Sequence, residues 1–184
     1  MRLHMLIART AVLYSLLPHM LAGQTGARVP KGWQEFTSRA GYIAYFPGDW
    51  HLLDPNLPTL YIANFLPSQS VKAVVVPINR ASISIAPAPA GMKSIEQWIS
   101  RQAAAHRVQS RRSFSLERPK PDPPISVWEV VYESLDGPDA TSWYFNLSGH
   151  MLVANLSYWH GDPNQTKYRE LLRMMLRAIV PRAE

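Results

Sequence analysis

The stretch from Thr141 to Tyr158 reads TSWYFNLSGHMLVANLSY, and its pattern decides the fold. Trp143, Phe145 and Leu147 line one face of a strand over 141–148, the two-residue period of a chain half-buried against a core. Gly149 marks a tight reversal into a second strand over 151–158, so the two form a hairpin. Upstream, Trp128, Val130 and Tyr132 share one face of another strand, with Glu129 and Glu133 on an opposite face read as solvated. Asp136-Gly137-Pro138-Asp139 supplies the turn that ends it. Ala81, Ile83 and Ile85 alternate with Ser82 and Ser84 in the same way. Earlier strands are expected at Trp33–Thr37, Tyr42–Phe46, Trp50–Leu53 and Thr59–Phe65. Leu66–Arg80 is poorly specified, with a short strand expected at Ala73–Val76. The total is about seven or eight strands, mostly antiparallel.

Two segments change period. Ser94-Ile95-Glu96-Gln97 has the form of a capping box, and Ile95, Trp98 and Ile99 give Ile95–Ala105 an amphipathic helical spacing. Asp162 is a suitable N-cap with Pro163 at the first helical position. From there Tyr168, Leu171, Leu172, Met175 and Ile179 repeat at helical spacing until Pro181. Each helix carries one apolar stripe and should pack on the sheet. Pro119, Pro121, Pro123 and Pro124 read as a stiff inter-strand connector. The fold class is therefore α+β, an α/β/α sandwich with a mostly antiparallel sheet of about seven strands flanked by helices.

The first 27 residues stand apart. Arg2 and Arg9 precede an apolar run over Thr10–Leu17, Pro18 breaks it, and small residues follow at Ala22, Gly23, Gly26 and Ala27. Basic, apolar, then small is the order of a cleaved secretory signal. The expectation is an exported chain, periplasmic or secreted, with one domain over 28–184. Taking residues 1–27 from the 184 leaves 157, enough to bury a sizeable core. Removing Arg2 and Arg9 from the 19 basic residues leaves 17 against 13 acidic ones, a net charge of +4. That is too mild to point to nucleic acid. The absence of cysteine excludes disulfides, thiol catalysis and Cys-based zinc sites. No apolar run approaches the roughly 20 residues of a membrane-spanning helix.

The stretch Tyr42-Ile43-Ala44-Tyr45-Phe46-Pro47-Gly48-Asp49-Trp50 is a half-buried strand entering a Pro-Gly-Asp turn, with Trp50 as a large anchor. It resembles the "strand, tyrosine, proline, x, x, tryptophan" opening of PsbP-like domains, a family that includes the extrinsic photosystem II subunit PsbP and many exported bacterial proteins. The order that follows is also similar to that family. A strand at Ala81–Ala86 leads to a helix opened by Ser94-Ile95-Glu96-Gln97-Trp98. An aromatic hairpin over Trp143–Tyr158 then precedes a closing helix from Pro163. The resemblance spans Trp33–Val180 and implies an α/β/α sandwich. It carries over no catalytic residue.

No residue is assigned a catalytic, cofactor-binding or metal-binding role. His150 and His160 fall at opposite ends of a strand, and His160 with Asp162 offers two ligands where a metal site needs three or four. His51 and His106 have no obvious partner. Ser148-Gly149-His150 lacks the elbow of a nucleophilic serine and reads as a hairpin turn. Glu129 and Glu133 could serve glycoside hydrolysis only if a cleft lay between them. Asn146-Leu147-Ser148, Asn155-Leu156-Ser157 and Asn164-Gln165-Thr166 match the glycosylation acceptor pattern and are read as chance matches. Arg169, Arg173 and Arg177, opposite the apolar stripe of the closing helix, are the candidate contacts for an anionic surface. They are joined by Arg101, Arg107, Arg111 and Arg112 around the first helix, and an ordinary solvated face is the alternative. The functional expectation is an exported, non-catalytic binding or accessory protein without cofactor, docking on a partner protein or an anionic envelope component. The alternative is a small secreted hydrolase or metal-dependent enzyme whose site is assembled from distant residues. A deep pocket with converging polar groups would favour the enzyme, and a flat aromatic or basic patch the binding module.

Overall fold

The computed structural model describes residues 29–66, 76–133 and 139–183. The expected signal segment, most of the 73–76 strand and residues 136–138 of the expected turn lie outside them. In chain order the elements are β1 (Trp33–Thr37), β2 (Tyr42–Pro47), β3 (His51–Leu52), β4 (Leu60–Ala63), β5 (Ala81–Pro87), α1 (Ile95–Ala103), β6 (Arg107–Leu116), β7 (Ile125–Glu133), β8 (Asp139–Leu147), β9 (His150–Tyr158), α2 (Gln165–Ala178) and β10 (Val180–Pro181).

Seven strands form one antiparallel sheet in the order β3-β4-β5-β9-β8-β7-β6. The expected central hairpin forms, turning at Ser148 and Gly149 with Leu147 opposite His150, so its first strand ends one residue earlier and its second begins one residue earlier than expected. Ser148 and Gly149 both take positive φ, 48° and 90°, which is the two-residue turn whose twist matches the strands it joins. Alternation then divides the sheet into two buried faces. Trp143, Phe145 and Leu147 of β8 join Leu152, Ala154 and Leu156 of β9 in a core closed by Leu172, Met175 and Leu176 of α2. Tyr144 and Val153 point the other way and meet Trp98 and Ile99 of α1, with Val130 and Tyr132 of β7. One helix covers each face, the sandwich expected of the α+β class.

Four departures of the elements from the sequence expectations shape the fold, beside the shorter β3 and β4. First, β1 and β2 leave the main sheet and pair with β10 in a separate three-stranded sheet. Tyr42 fastens that sheet to the larger one: its fully buried hydroxyl donates to Ile85 O at 2.5 Å and accepts from Leu60 N at 3.0 Å. Desolvation holds the phenol in its protonated, donating form by pushing its pKa up. Second, β6 is an unexpected ten-residue edge strand. Its residues from Arg107 to Ser113 are exposed, so no apolar alternation announced it. Third, regular helix in α2 begins at Gln165, not Pro163. Asp162 holds the turn before it, with Oδ1 accepting from Asn164 N at 2.7 Å. Fourth, α1 ends at Ala103, not Ala105. At its start Ser94 Oγ accepts from Gln97 N at 3.2 Å, as a capping box requires. The Gln97 side chain reaches one residue beyond the cap and accepts from Lys93 N at 2.8 Å.

Candidate functional site

α1 is short, and the sheet face beneath it is wide. Past the end of the helix a cleft of about 220 Å³ opens between them, lined by Trp98, Gln102, His106, Tyr132, Ser142, Tyr144 and Asn155 with Ala140 and Val153. Trp98, Gln102 and His106 follow one another at four-residue spacing, so the helix and its exit present them on one side. Trp98 stands edge-on to Tyr144 with ring centroids 5.2 Å apart, and His106 stands against Tyr132 at 5.7 Å. These rings form the walls.

The floor is polar and crosses four adjacent strands. Tyr132 of β7 and Tyr144 of β8 share a hydroxyl–hydroxyl bond of 2.9 Å. Ser142 and Asn155 are direct cross-strand partners, as are Asn155 and Ser84. Ser142 Oγ donates to Asn155 Oδ1 at 2.7 Å, and Asn155 Nδ2 donates to Ser84 Oγ at 3.3 Å. A pair of phenols uses one proton between them and leaves the second to point elsewhere, and an amide nitrogen has two hydrogens to give. The floor therefore keeps donors in hand for a ligand. Desolvation pushes both phenols up, Tyr144 further than Tyr132 because the hydrogen bond between them raises the one and lowers the other. At neutral pH both remain neutral hydrogen-bonding groups. No Asp, Glu, Lys or Arg lines the cleft.

The candidate arginines of the closing helix do not share an outer face. Arg169 turns onto the sheet, donating to Thr141 Oγ1 at 3.2 Å with its other terminal nitrogen 3.7 Å from Glu129. Arg173 lies over the rings of Phe114 and Trp143, about 6.0 Å from each, and pairs with Glu170 at 3.6 Å. Arg177 alone stays exposed. The reason is Glu129. The face on which Glu129 was expected to be solvated is the one that α2 covers, so its carboxylate is buried, at 3% exposure. A buried carboxylate needs partners. It accepts from Arg112 Nε and from Trp143 Nε1, each at 2.7 Å, and draws Arg169 inward. Glu133 remains at the rim and pairs with Arg107 at 3.2 Å. Arg111 stacks on Trp128 at 4.8 Å.

The histidines scatter. His160 bonds Asp139 through Nδ1 at 2.9 Å and makes no recorded bond to Asp162. His150 stands at the β8–β9 turn and His106 at the cleft. Among the described residues no three His, Cys, Asp or Glu groups gather where they could hold a metal ion, and no helix is long and apolar enough to cross a membrane. In the sequence most of the cleft residues belong to separate local patterns. Trp98 was an apolar stripe, Tyr132 a strand face and Asn155 a chance glycosylation match. Only strand register brings them together. The period-2 serines of β5 and the Ser142–Asn155 pairing were the available signal.

Fold and cleft define an α+β sandwich domain with an aromatic-walled hollow that no Asp, Glu, Lys or Arg lines. No family model matches the chain, and no curated protein matches it. Among solved structures it is similar to a protein of unknown function from Pseudomonas aeruginosa, at 11% identity and a TM-score of 0.42, over 83% of this chain and 99% of that one. It is similar to a protein from Bacteroides thetaiotaomicron at 12% identity and a TM-score of 0.47, over 84% of this chain and 50% of that one. It is also similar to cyanobacterial PsbP from Synechocystis at 10% identity and a TM-score of 0.43, over 87% of this chain and 98% of that one.

Proposed function

We propose that this protein is an exported, non-catalytic binding module of the PsbP-like kind, and that the cleft beside α1 takes a small, neutral, hydrogen-bonding ligand. The observation that supports the reading is the lining itself: aromatic walls, a floor of hydroxyl and amide groups, and no formal charge. Such a surface matches ring-bearing ligands with hydroxyl or amide groups, for which rings supply apolar contact and the floor fixes orientation. An accessory role on a partner protein or envelope component would run through the ligand or through the exposed Arg177. Arg169 and Arg173 are already engaged within the fold. The PsbP-like assignment rests on the order of motifs from Trp33 to Val180, and export on the basic, apolar, small order of residues 1–27.

Converging polar groups also favour the enzyme reading. Against it, burial pushes both floor phenols further from neutral titration, so they act there as hydrogen-bonding groups and not as proton carriers. Titrating the protein with neutral mono- and disaccharides and with aromatic amides, while following tryptophan fluorescence, tests the reading. Saturable binding that falls at least ~tenfold in Asn155→Ala, with the ligand recovered unchanged, is expected from the loss of an oriented hydrogen-bonding group. Turnover of the ligand that vanishes in His106→Gln would establish the enzyme instead. Mass spectrometry of the native protein should find a new N-terminus near Ala27, and an intact Met1 on a cytosolic protein would end the export proposal.

A further inference from the structure

A second hollow, of about 510 Å³, lies on the other side of the central hairpin and is lined by Arg39, Ala40, Gly41, Pro87, His150, Arg182 and Ala183. Its chemistry is the reverse of the cleft's. Arg39, His150 and Arg182 line it from three separate segments, and among the described residues no acidic one does. Elsewhere several arginines are committed to carboxylates: Arg107, Arg112, Arg118, Arg169 and Arg173 each have one within 4.0 Å. Among the described residues neither Arg39, Arg182 nor His150 has one.

The hollow is also held in shape. Ala40 N donates to Ser38 Oγ at 3.0 Å, which fixes the β1–β2 turn that carries Arg39. Arg182 N donates to Gly41 O at 2.9 Å and extends the β10–β2 pairing, so its side chain leaves from a bonded backbone. Gly41 takes φ +86° and supports the His150 ring directly. A Cβ there would stand 3.0 Å from Cε1 and 3.1 Å from Nε2, closer than a side chain tolerates without movement.

We propose that this hollow is a binding site for a phosphate group carried on a larger molecule. Two guanidinium forks and an imidazole supplied by three separate segments suit a tetrahedral anion with several acceptor oxygens better than a planar carboxylate. The volume exceeds what a bare ion fills, so the phosphate bears an organic body, either a free phosphate monoester or a lipid headgroup. The site is distinct from the neutral cleft and stands whether or not the cleft binds.

Two titrations of the full chain test this. In the first, glycerol 1-phosphate is added while backbone amide and histidine ring resonances are followed. Saturable shifts centred on Gly41 and His150 are expected, with affinity reduced at least ~tenfold in the double variant Arg39→Gln/Arg182→Gln and unchanged in Lys93→Gln, an exposed cation that lines neither hollow. In the second, phosphatidylglycerol vesicles are compared with phosphatidylcholine vesicles by flotation, using the same variants. Binding in the first identifies a free monoester. Binding only to the anionic vesicles, lost in the double variant, identifies a headgroup, and either supports the site. Shifts centred elsewhere in the wild-type chain, no binding in either titration, or binding that survives in a folded double variant would overturn it. The shift map needs no variant, so the outcome stands even if the substitutions unfold the protein.

Discussion

The two faces of the seven-stranded sheet bury similar rings but treat polar groups in opposite ways. Under α2 the polar residues are charged, and they are spent on one another. Glu129 takes Arg112, Trp143 and Arg169 into a single network around one buried carboxylate. Under α1 the polar residues are neutral, arranged along the strand register, and open to a cleft. A carboxylate without partners is intolerable in a core, so charge on a buried face closes that face. Hydroxyls and amides lose less when one valence stays open to solvent, so a neutral row can line a site. The comparison teaches that the charges under α2 are committed to the fold, because a carboxylate buried there requires cationic partners.

The comparison can be broken first at its most buried point. Leu172 is fully buried between α2 and the sheet, so Leu172→Ala should lower stability by about 2–5 kcal/mol in urea unfolding. A loss well under that range would mean that α2 does not close this face. Next comes the charged network. Glu129→Ala leaves the Trp143 indole N–H and two arginines without their acceptor. Arg112 and Arg169 are 59% and 31% exposed in their side chains and can regain water, so the expected loss is about 2 kcal/mol, below that of a fully buried pair. An unchanged midpoint would show that the network is incidental, and the contrast between the faces would fall with it.

The smallest effect belongs to the neutral face and sharpens the contrast through pH. Tyr144→Phe strips the Tyr132 hydroxyl of its partner, but the adjoining cleft admits water, so the cost at neutral pH should be about 1 kcal/mol. Both phenols have folded-state pKa values raised above their unfolded ones. Their protonated forms are therefore favoured by folding. That contribution is complete below about pH 10 and is lost as pH rises, when the unfolded chain releases protons that the folded one retains. Thermal midpoints measured from pH 8 to 11 should fall on the alkaline side, and fall less steeply in Tyr144→Phe. Parallel curves for the two proteins would place that alkaline sensitivity elsewhere, with Tyr42 as the next candidate.

Local pattern was sufficient wherever one segment carried the whole signal. The β8–β9 hairpin, the strand over Ala81–Pro87, the Ser94 cap of α1 and the apolar stripe of α2 each follow from a period or a turn residue inside a few positions. The α+β class and one helix per face follow from those. What alternation cannot say is whether the second face of a strand meets water or another layer. Glu129 looked solvated for that reason, and only the docking of α2 makes it a buried hub that turns Arg169 inward. Edge strand β6 escaped notice because it buries little, and the three-stranded sheet because β10 pairs with β2 from the far end of the chain. Both hollows belong to the same category. Trp98, Tyr144 and Asn155 lie on α1, β8 and β9, and Arg39, His150 and Arg182 on the β1–β2 turn, the start of β9 and the residue after β10. Sequence determined the strands, helices and turns, because backbone sterics and burial period act locally. Tertiary structure alone decided which side chains share a cavity and which charges cancel, because those depend on register and on which layer covers which face.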